Sequence, residues 1–216
     1  MGIESLRGFA FMGGDWVIYL LILASVSAVA VIIERAIVYR RQSMALDALA
    51  DGLIARLKNG GAAAAAASLD RGSVFSRLAQ DLLRASPDEG GDEDRLQGLL
   101  ALEKRYLDRR LTILATLGNN APFLGLLGTV LGIIKAFHDL AQSAEAQPQI
   151  IMEGLSQALI ATAAGIFVAL PCVAAYNYFR KRSRDMLVDA ERLGRRLIAV
   201  MRKTSPQAAE GAASNA

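Results

Sequence analysis

The sequence predicts an all-α membrane protein with three transmembrane helices, two of which extend into a cytoplasmic helical stalk. Apolar residues make up 53% of the 216-residue chain, and they are concentrated rather than spread evenly. Three runs contain no Asp, Glu, Lys or Arg, namely residues 16–33, 111–134 and 155–179. Each run reaches the roughly 18 residues that a helix needs to cross a bilayer. No stretch of the sequence favours a β-strand.

The distribution of basic residues predicts the orientation of these helices. Residues 40–110 contain 12 Lys and Arg and nine more follow Phe179, whereas the other two flanking segments contain only Arg7 and Lys135. Cytoplasmic segments are enriched in Lys and Arg, so the N-terminus is expected outside and the C-terminus inside. The predicted segments are an outer-face segment 1–15, a transmembrane helix 16–39, a cytoplasmic helical loop 40–110, a transmembrane helix 111–136, a short outer-face loop 137–154, a transmembrane helix 155–179, a cytoplasmic helix 180–204 and a disordered tail 205–216.

Local composition adds detail to the first half of the chain. Residues 27–30 resemble a signal-peptide cleavage site, but the run is long and Glu34-Arg35 follows it directly, so we interpret it as a retained span. Gly60-Gly61 is expected to end the helix that continues from this span. Residues 86–91, Ser-Pro-Asp-Glu-Gly-Gly, predict a linker.

Two long helices are predicted in the second half. Residues 92–136 contain no strong breaker before Pro122 and predict one helix that passes from the cytoplasm into the membrane. A helix over residues 155–203 would be about 73 Å long at 1.5 Å per residue, more than twice the roughly 30 Å of a bilayer core. Its cytoplasmic part is therefore expected to form a stalk with one apolar stripe: Met186, Ala190, Leu193, Leu197 and Val200.

Small residues form a stripe along the second and third spans. Helices in lipid associate through close backbone packing and hydrogen bonds, and their contact faces are rich in Gly, Ala, Ser and Thr. The stripes therefore predict helix–helix contacts or, alternatively, the walls of a narrow path. The predicted packing residues are Pro122, Gly125, Gly128, Gly132, Ala158, Gly165 and Ala169. The larger residues of the second span are expected on its opposite, lipid-facing side: Leu124, Leu127, Leu131 and Ile134.

One hydroxyl lies near the middle of each stripe, at Thr129 and at Thr162. A hydroxyl both donates and accepts a hydrogen bond, as a proton relay or the binding of an acid from another chain requires. A single Thr also bonds to its own i−4 carbonyl, so the occurrence of two is the informative feature. Lys135 and Glu153, at the outer ends of these spans, are a candidate pore mouth or ordinary snorkelling residues.

Signatures of enzymes and of metal or cofactor sites are missing from the sequence. It contains no Gly-rich loop followed by Lys-Ser/Thr, no HExxH, no CxxC and no GxSxG. The one cysteine, Cys172, and the one histidine, His138, have no partner motif. Asn119 and Asn120 are candidate ion ligands or a polar cap beside Pro122. We expect no enzymatic activity, no cofactor, no metal and, because acids interleave the basic segments, no nucleic-acid partner.

The last two spans carry recognisable motifs. The stretch "NNAPFLGLLGTVLGIIKAF" is followed by "GLSQALIATAAGIFVALPCVAAYNYF". In sequence, order and topology they resemble the MotA/TolQ/ExbB proton-channel family, especially its TolQ/ExbB branch. The resemblance covers residues 111–182 well, whereas residues 1–110 agree only in layout.

The resemblance implies a function and partners. It implies a pentamer in the bacterial inner membrane whose pore encloses the spans of an ExbD/TolR-like single-span partner, with contacts to membrane lipids and further envelope-spanning proteins. In the family, proton flow is thought to turn one ring against the other and to drive work at the cell envelope. The family's pore threonines correspond to Thr129 and Thr162. The process served stays open between nutrient uptake, Tol-type envelope maintenance, gliding motility and polymer secretion.

One residue departs from the family pattern. TolQ-like and ExbB-like members usually carry a glutamate where this chain has Gln157, and glutamine does not titrate. That acid is dispensable here, or Glu153 one turn earlier takes over part of its role, or the subunit conducts differently. We favour the first, with the proton-carrying Asp supplied by the partner. A non-conducting membrane scaffold for an envelope complex is the alternative function.

Overall fold

A computed structural model describes residues 13–43, 46–69, 72–84, 91–142 and 148–204. These ranges are mostly helical and contain no strand, which confirms the all-α prediction. The helices are α1 (Asp15–Ser43), α2 (Leu46–Ala67), α3 (Val74–Leu83), α4 (Asp92–Leu107), α5 (Leu111–Gln142) and α6 (Pro148–Thr204). The expectations for residues 1–12, for the linker at 86–90 and for the tail 205–216 lie outside the described residues.

Among the residues that the structure describes, three helices are long and apolar enough to cross a membrane, as the three uncharged runs predicted. They are Asp15–Gln42, Leu111–Gln142 and Ile151–Lys203. α1 carries an acid in its first turn, Asp15, and bases in its last turn, Arg40 and Arg41. These charges complement the helix dipole at both ends.

The segment between the second and third spans is more helical than predicted. Residues 137–154 were expected to be a loop, but α5 continues to Gln142 and α6 already begins at Pro148. Proline is favoured at the first helical position because its missing N–H would have no partner there. Pro122 and Pro171 lie inside α5 and α6, and such positions are tolerated in membrane helices.

The prediction of a single helix over residues 92–136 is wrong. α4 ends at Leu107, and α5 begins at Leu111 after a three-residue turn. Arg110 has φ +62° and is the non-glycine residue with positive φ among those described. A left-handed conformation costs an L-residue roughly 1–2 kcal/mol, so other contacts must stabilise the turn.

Side chains from two other helices contact the end of α4. The Tyr39 hydroxyl donates to the carbonyl oxygen of Leu107 at 3.1 Å, and the Ser183 hydroxyl donates to Asp108 Oδ1 at 2.9 Å. The first bond satisfies a carbonyl that lacks an intrahelical partner at a helix end. The break contains no glycine or proline. Tertiary contacts, rather than local propensity, therefore stabilise it.

The predicted helix break at Gly60-Gly61 is also wrong, since α2 passes through both glycines to Ala67. The alanine run that follows them favours helix strongly enough to outweigh two glycines. Its far end is packed, with Ala65 and Ala66 buried. The helix ends where the Ser68 hydroxyl donates to the Ala65 carbonyl oxygen at 2.8 Å.

The described chain divides into two compact units. The first contains the residues up to Glu34 together with Arg110–Tyr178. Its core is formed by α1, α5 and α6, and its largest fully buried side chains are Val17, Leu21, Leu114 and Cys172. Glu34 and Arg110 form an ion pair within this unit.

The second unit contains Arg35–Arg109 and the described residues from Phe179 onward. Its core includes the apolar stripe predicted on the last helix, of which Met186, Ala190, Leu193 and Leu197 are buried. Arg77 donates two hydrogen bonds to the Glu103 carboxylate, at 2.8 and 2.6 Å. The hydrogen bond to Glu103 raises the pKa of the Arg77 guanidinium above its ordinary value, so this pair stays charged on the arginine side.

Candidate functional site

The candidate site lies in the first unit, where the backbones of α5 and α6 are in close contact. A Cβ atom at Gly125 would lie 2.8 Å from the Ala161 carbonyl oxygen and 3.0 Å from the Thr162 Cα. A Cβ at Gly165 would lie 2.6 Å from the Ala121 carbonyl oxygen. Both contacts are with backbone atoms, which have little room to move. Only glycine therefore allows this approach, as expected for close helix packing in a membrane.

The small-residue contact continues from this crossing towards the C-terminus of α5. A Cβ at Gly132 would lie 2.9 Å from the Ala158 Cβ, and one at Gly128 would lie 2.8 Å from the Ala161 Cβ. Gly128 also faces Val17 of α1. These predicted packing residues thus contact each other within one chain.

Burial tests the predicted faces of the two helices. Ala158 and Ala169 are buried, and Pro122 is half-buried. Leu131 was predicted on the lipid-facing side but is only 5% exposed, which corrects that prediction. The buried face of α5 also includes Ala121, which the predicted spacing missed because it took a step of four from Gly118, whereas the buried positions take a step of three to 121 and then of four to Gly125.

The two predicted hydroxyls meet at the α5–α6 crossing. Thr129 Oγ1 and Thr162 Oγ1 are hydrogen-bonded to each other. Both also lie within hydrogen-bond distance of the Gly125 carbonyl oxygen, at 3.1 Å for Thr129 and 3.2 Å for Thr162. Thr129 Oγ1 is in addition 3.2 Å from the Ala158 carbonyl oxygen. Both side chains are half-buried.

This network has fewer protons than acceptors. Each hydroxyl has one proton to donate, yet Thr129 faces three acceptors and Thr162 faces two. If Thr162 donates to Thr129, then Thr129 donates to the Gly125 or the Ala158 carbonyl. If Thr129 donates instead, Thr162 turns to Gly125. The pair therefore has two hydrogen-bonding arrangements, and none of the partners named is titratable.

A cavity of about 220 Å³ lies between α1, α5 and α6 on the side of the network towards the α5 C-terminus. Its lining includes the predicted residues Lys135, Glu153 and Gln157. It also includes Asp15 and Asp139, which sequence reasoning missed because nothing local marks them as neighbours of the two spans. Gly128, Ala158 and Ala161 line it too, so the cavity borders the packed contact.

Two of the remaining polar candidates, Asn120 and His138, have local partners. Asn120 Nδ2 donates to the Thr116 carbonyl oxygen at 2.9 Å, one turn earlier on α5. His138 Nε2 and Gln142 Nε2 are 2.9 Å apart. Within the described residues, no group of three or more His, Cys, Asp or Glu is arranged to hold a metal ion.

Comparison with curated proteins finds relatives that match part of the chain. It is 46% identical over 90 residues to "Biopolymer transport protein ExbB" of Aquifex aeolicus, covering 42% of this chain and 60% of the relative. It is 40% identical over 116 residues to "Tol-Pal system protein TolQ" of Pseudomonas aeruginosa, covering 53% of this chain and 49% of the relative. The chain thus spans about half to three fifths of the length of these relatives.

The family match is longer than these alignments. Residues 66–192 match the MotA/TolQ/ExbB proton channel family, which is more than half of the chain. The match extends further towards the N-terminus than residues 111–182, and it includes the helical crossing, both threonines and Gln157. The chain therefore belongs to the MotA/TolQ/ExbB proton channel family.

Proposed function

We propose that this chain is the proton-channel subunit, or stator, of a bacterial inner-membrane motor that converts proton motive force into mechanical work at the cell envelope. Family membership and three helices apolar enough to cross a membrane support the proposal. The relatives' names favour biopolymer transport or a Tol-Pal system as the process served. Gliding motility is a further alternative.

The single observation that carries the proposal is the hydroxyl pair at the α5–α6 crossing. Thr129 and Thr162 exchange hydrogen bonds with each other and with two backbone carbonyls. Since the donor and acceptor roles of the two hydroxyls can reverse, the pair can accept a proton on one side and release one on the other. Hydroxyls do not store a proton at neutral pH, so the relay needs a titratable group beside it.

No acid lies in this network, and Gln157 occupies the position where the family usually has a glutamate. A charge within a membrane core is costly unless it has a partner. We therefore assign the proton-carrying group to an aspartate of another chain, an ExbD/TolR-like single-span protein inside a ring of five copies of this subunit. The two hydroxyls would donate hydrogen bonds to its ionised form and release it once it is protonated.

The exposure of α6 is consistent with such a ring. Leu159, Phe167 and Leu170 are exposed by 61–78% and offer apolar surface to lipid or to neighbouring subunits. Glu153 and Gln157 are also exposed on α6. Polar side chains in membrane helices usually face a water-filled cavity or a partner rather than lipid, which supports a pore mouth at Glu153 and Lys135.

Proton flux in liposomes tests the proposal. We expect no flux from this protein alone and measurable flux when the single-span protein that co-purifies with it is added. Thr162→Val should abolish flux and leave the ring intact, because the Gly125 carbonyl keeps its helical hydrogen bond when the hydroxyl is lost. Thr162→Ser, which restores the hydroxyl, should recover flux, and Gln157→Ala should be milder than Thr162→Val.

Thr116→Val is the matched control, since it removes an exposed hydroxyl from the same helix that carries Thr129. It should conduct normally. A strong leak from the pure protein, or full flux from the Thr129→Val, Thr162→Val double variant, would contradict the relay.

A non-conducting membrane scaffold is the second candidate. It is favoured by the fact that each threonine hydroxyl already has a partner within the chain, so the pair can act purely in helix packing. In that case the double valine variant would retain full function in cells, and flux would not depend on either hydroxyl.

A further inference from the structure

The cavity between α1, α5 and α6 runs from an exposed, charged end to a buried end with small side chains. The exposed end is lined by three acids: Asp15, Asp139 and Glu153. The buried end is lined by three small residues: Gly128, Ala158 and Ala161. Asp139 follows Gly128 by 11 residues, which is about 16 Å along α5. The cavity therefore extends from the surface of this unit deep into the predicted span.

The buried end of the cavity lies beside the hydroxyl pair. Gly128 directly precedes Thr129, and Ala161 directly precedes Thr162. Consecutive Cα atoms are only about 3.8 Å apart. The carbonyl oxygen of Ala158 lies 3.2 Å from Thr129 Oγ1. The backbone that closes the cavity thus also carries both hydroxyls.

The walls of the cavity are joined within one copy of the chain. A Cβ at Gly14 would lie 2.5 Å from the Gly128 carbonyl oxygen, so the start of α1 packs directly on the α5 backbone. A Cβ at Gly154 would lie 2.5 Å from the Ala136 Cβ, so the early part of α6 packs on α5 as well. All the lining residues belong to the first unit. The cavity thus has walls from three helices of a single subunit.

The size and the charge of the cavity suit water and protons. Its volume of about 220 Å³ has room for several water molecules, each of which occupies about 30 Å³ in the liquid. The three acids line it together with one basic side chain, Lys135. A cleft lined mainly by one sign of charge concentrates ions of the opposite sign. The acids therefore favour protons at the exposed end.

We propose that this cavity is the outer entrance of the proton path, so that each subunit has its own entrance and protons reach the hydroxyl pair through the subunit rather than along a shared pore. The acids collect protons at the exposed end, and water carries them along α5. Thr129 Oγ1 accepts a proton from water while its own proton passes to Thr162 Oγ1, so neither hydroxyl stores a charge. The inference rests on the proposed relay and on the N-outside orientation.

Chemical block of the cavity tests the entrance in the complex with the single-span protein that co-purifies with this chain. In a Cys172→Ser background, Ile18→Cys places a thiol on the cavity wall that α1 forms. A charged methanethiosulfonate reagent is attached in detergent, and intact mass measures the extent of labelling. After reconstitution into liposomes, labelling should lower proton flux by roughly an order of magnitude, because the attached group displaces water from the cavity.

Met152→Cys in the same background is the matched control. Met152 is 70% exposed and directly precedes Glu153, but it is not among the residues that line the cavity. Its thiol is therefore labelled at the same level of α6 without filling the cavity. Labelling at this position should leave the flux unchanged.

Removal of the collecting charge is a second measurement that needs no reagent. Asp15→Asn, Asp139→Asn should lower the flux about tenfold at alkaline pH, where protons are scarce, since a charged cleft raises the local concentration of its counter-ion by about that factor or more. Asp94→Asn, Asp185→Asn removes the same two charges from exposed positions on α4 and α6. This control should conduct as the wild type does.

Three results would contradict the entrance and leave the hydroxyl relay standing. They are full flux from completely labelled Ile18→Cys, an equal loss of flux in labelled Met152→Cys, and normal flux from the Asp15→Asn, Asp139→Asn variant. A wild-type complex that conducts no protons would instead overturn the proposed function, and the entrance with it.

Discussion

Arg110 shows how one residue can carry an unfavourable backbone conformation. Its φ of +62° lies in the left-handed region, which arginine has no intrinsic reason to adopt. Its guanidinium pairs with Glu34, and the turn it closes is tied to other helices through Tyr39 and Ser183. The Arg110 side chain supplies the charge for the ion pair with Glu34, and the left-handed backbone conformation is the energetic cost of having arginine at this position.

Two substitutions at this position separate the charge from the backbone. Arg110→Ala loses the ion pair and keeps the left-handed strain, whereas Arg110→Gly loses the same pair and relieves the strain. We expect the glycine variant to be more stable than the alanine variant by about 1 kcal/mol. Thermal unfolding in detergent, followed by circular dichroism, measures the difference. Equal stabilities would mean that the turn relaxes once the arginine is removed.

At the scale of elements, glycines allow the backbones of α5 and α6 to pack directly against each other. Gly125 and Gly165 let two backbones approach to distances that any Cβ would prevent. The same approach brings the two threonine hydroxyls within hydrogen-bonding reach of each other and of a backbone carbonyl from the facing helix. Packing and the candidate relay are therefore consequences of one contact.

Gly125→Ala should destabilise the subunit itself rather than only its assembly. The added methyl would lie 2.8 Å from a backbone oxygen, and forcing extra atoms into a packed contact costs about 1–3 kcal/mol. Gly98→Ala in α4 is the matched control, because a Cβ there meets nothing within 4 Å and should stabilise the helix slightly. The unfolding temperature of the purified protein measures both. A Gly125→Ala variant as stable as the control would show that the helices separate at little cost.

At the scale of the whole molecule, orientation in the membrane follows from charge. The 21-to-2 division of Lys and Arg between the flanking segments favours an N-terminus outside and a C-terminus in the cytoplasm.

Cysteine labelling on intact cells tests this orientation. In a Cys172→Ser background, single cysteines at Ser5, Ser68 and Ser205 are probed with a membrane-impermeant thiol reagent. Ser68 suits this purpose because its side chain is exposed. Only the cysteine at position 5 should react, and all three should react after the cells are lysed. Labelling of positions 68 and 205 but not position 5 on intact cells would reverse the proposed topology.

The sequence by itself determined the helical class, the three spans, both threonines and most of the small residues at the crossing. These follow from hydropathy and side-chain size, which are local properties that do not need neighbours. Tertiary structure alone decided that α4 stops at Leu107, that Leu131 is buried and that Asp15 and Asp139 share a cavity with Lys135 and Glu153. Each of these depends on which distant residues meet: Tyr39 must reach Leu107 before the helix ends there. Hydropathy and residue spacing report the intrinsic preference of one segment for helix and for burial. A helix break without glycine or proline depends instead on residues that are distant in the sequence and contact it in the fold.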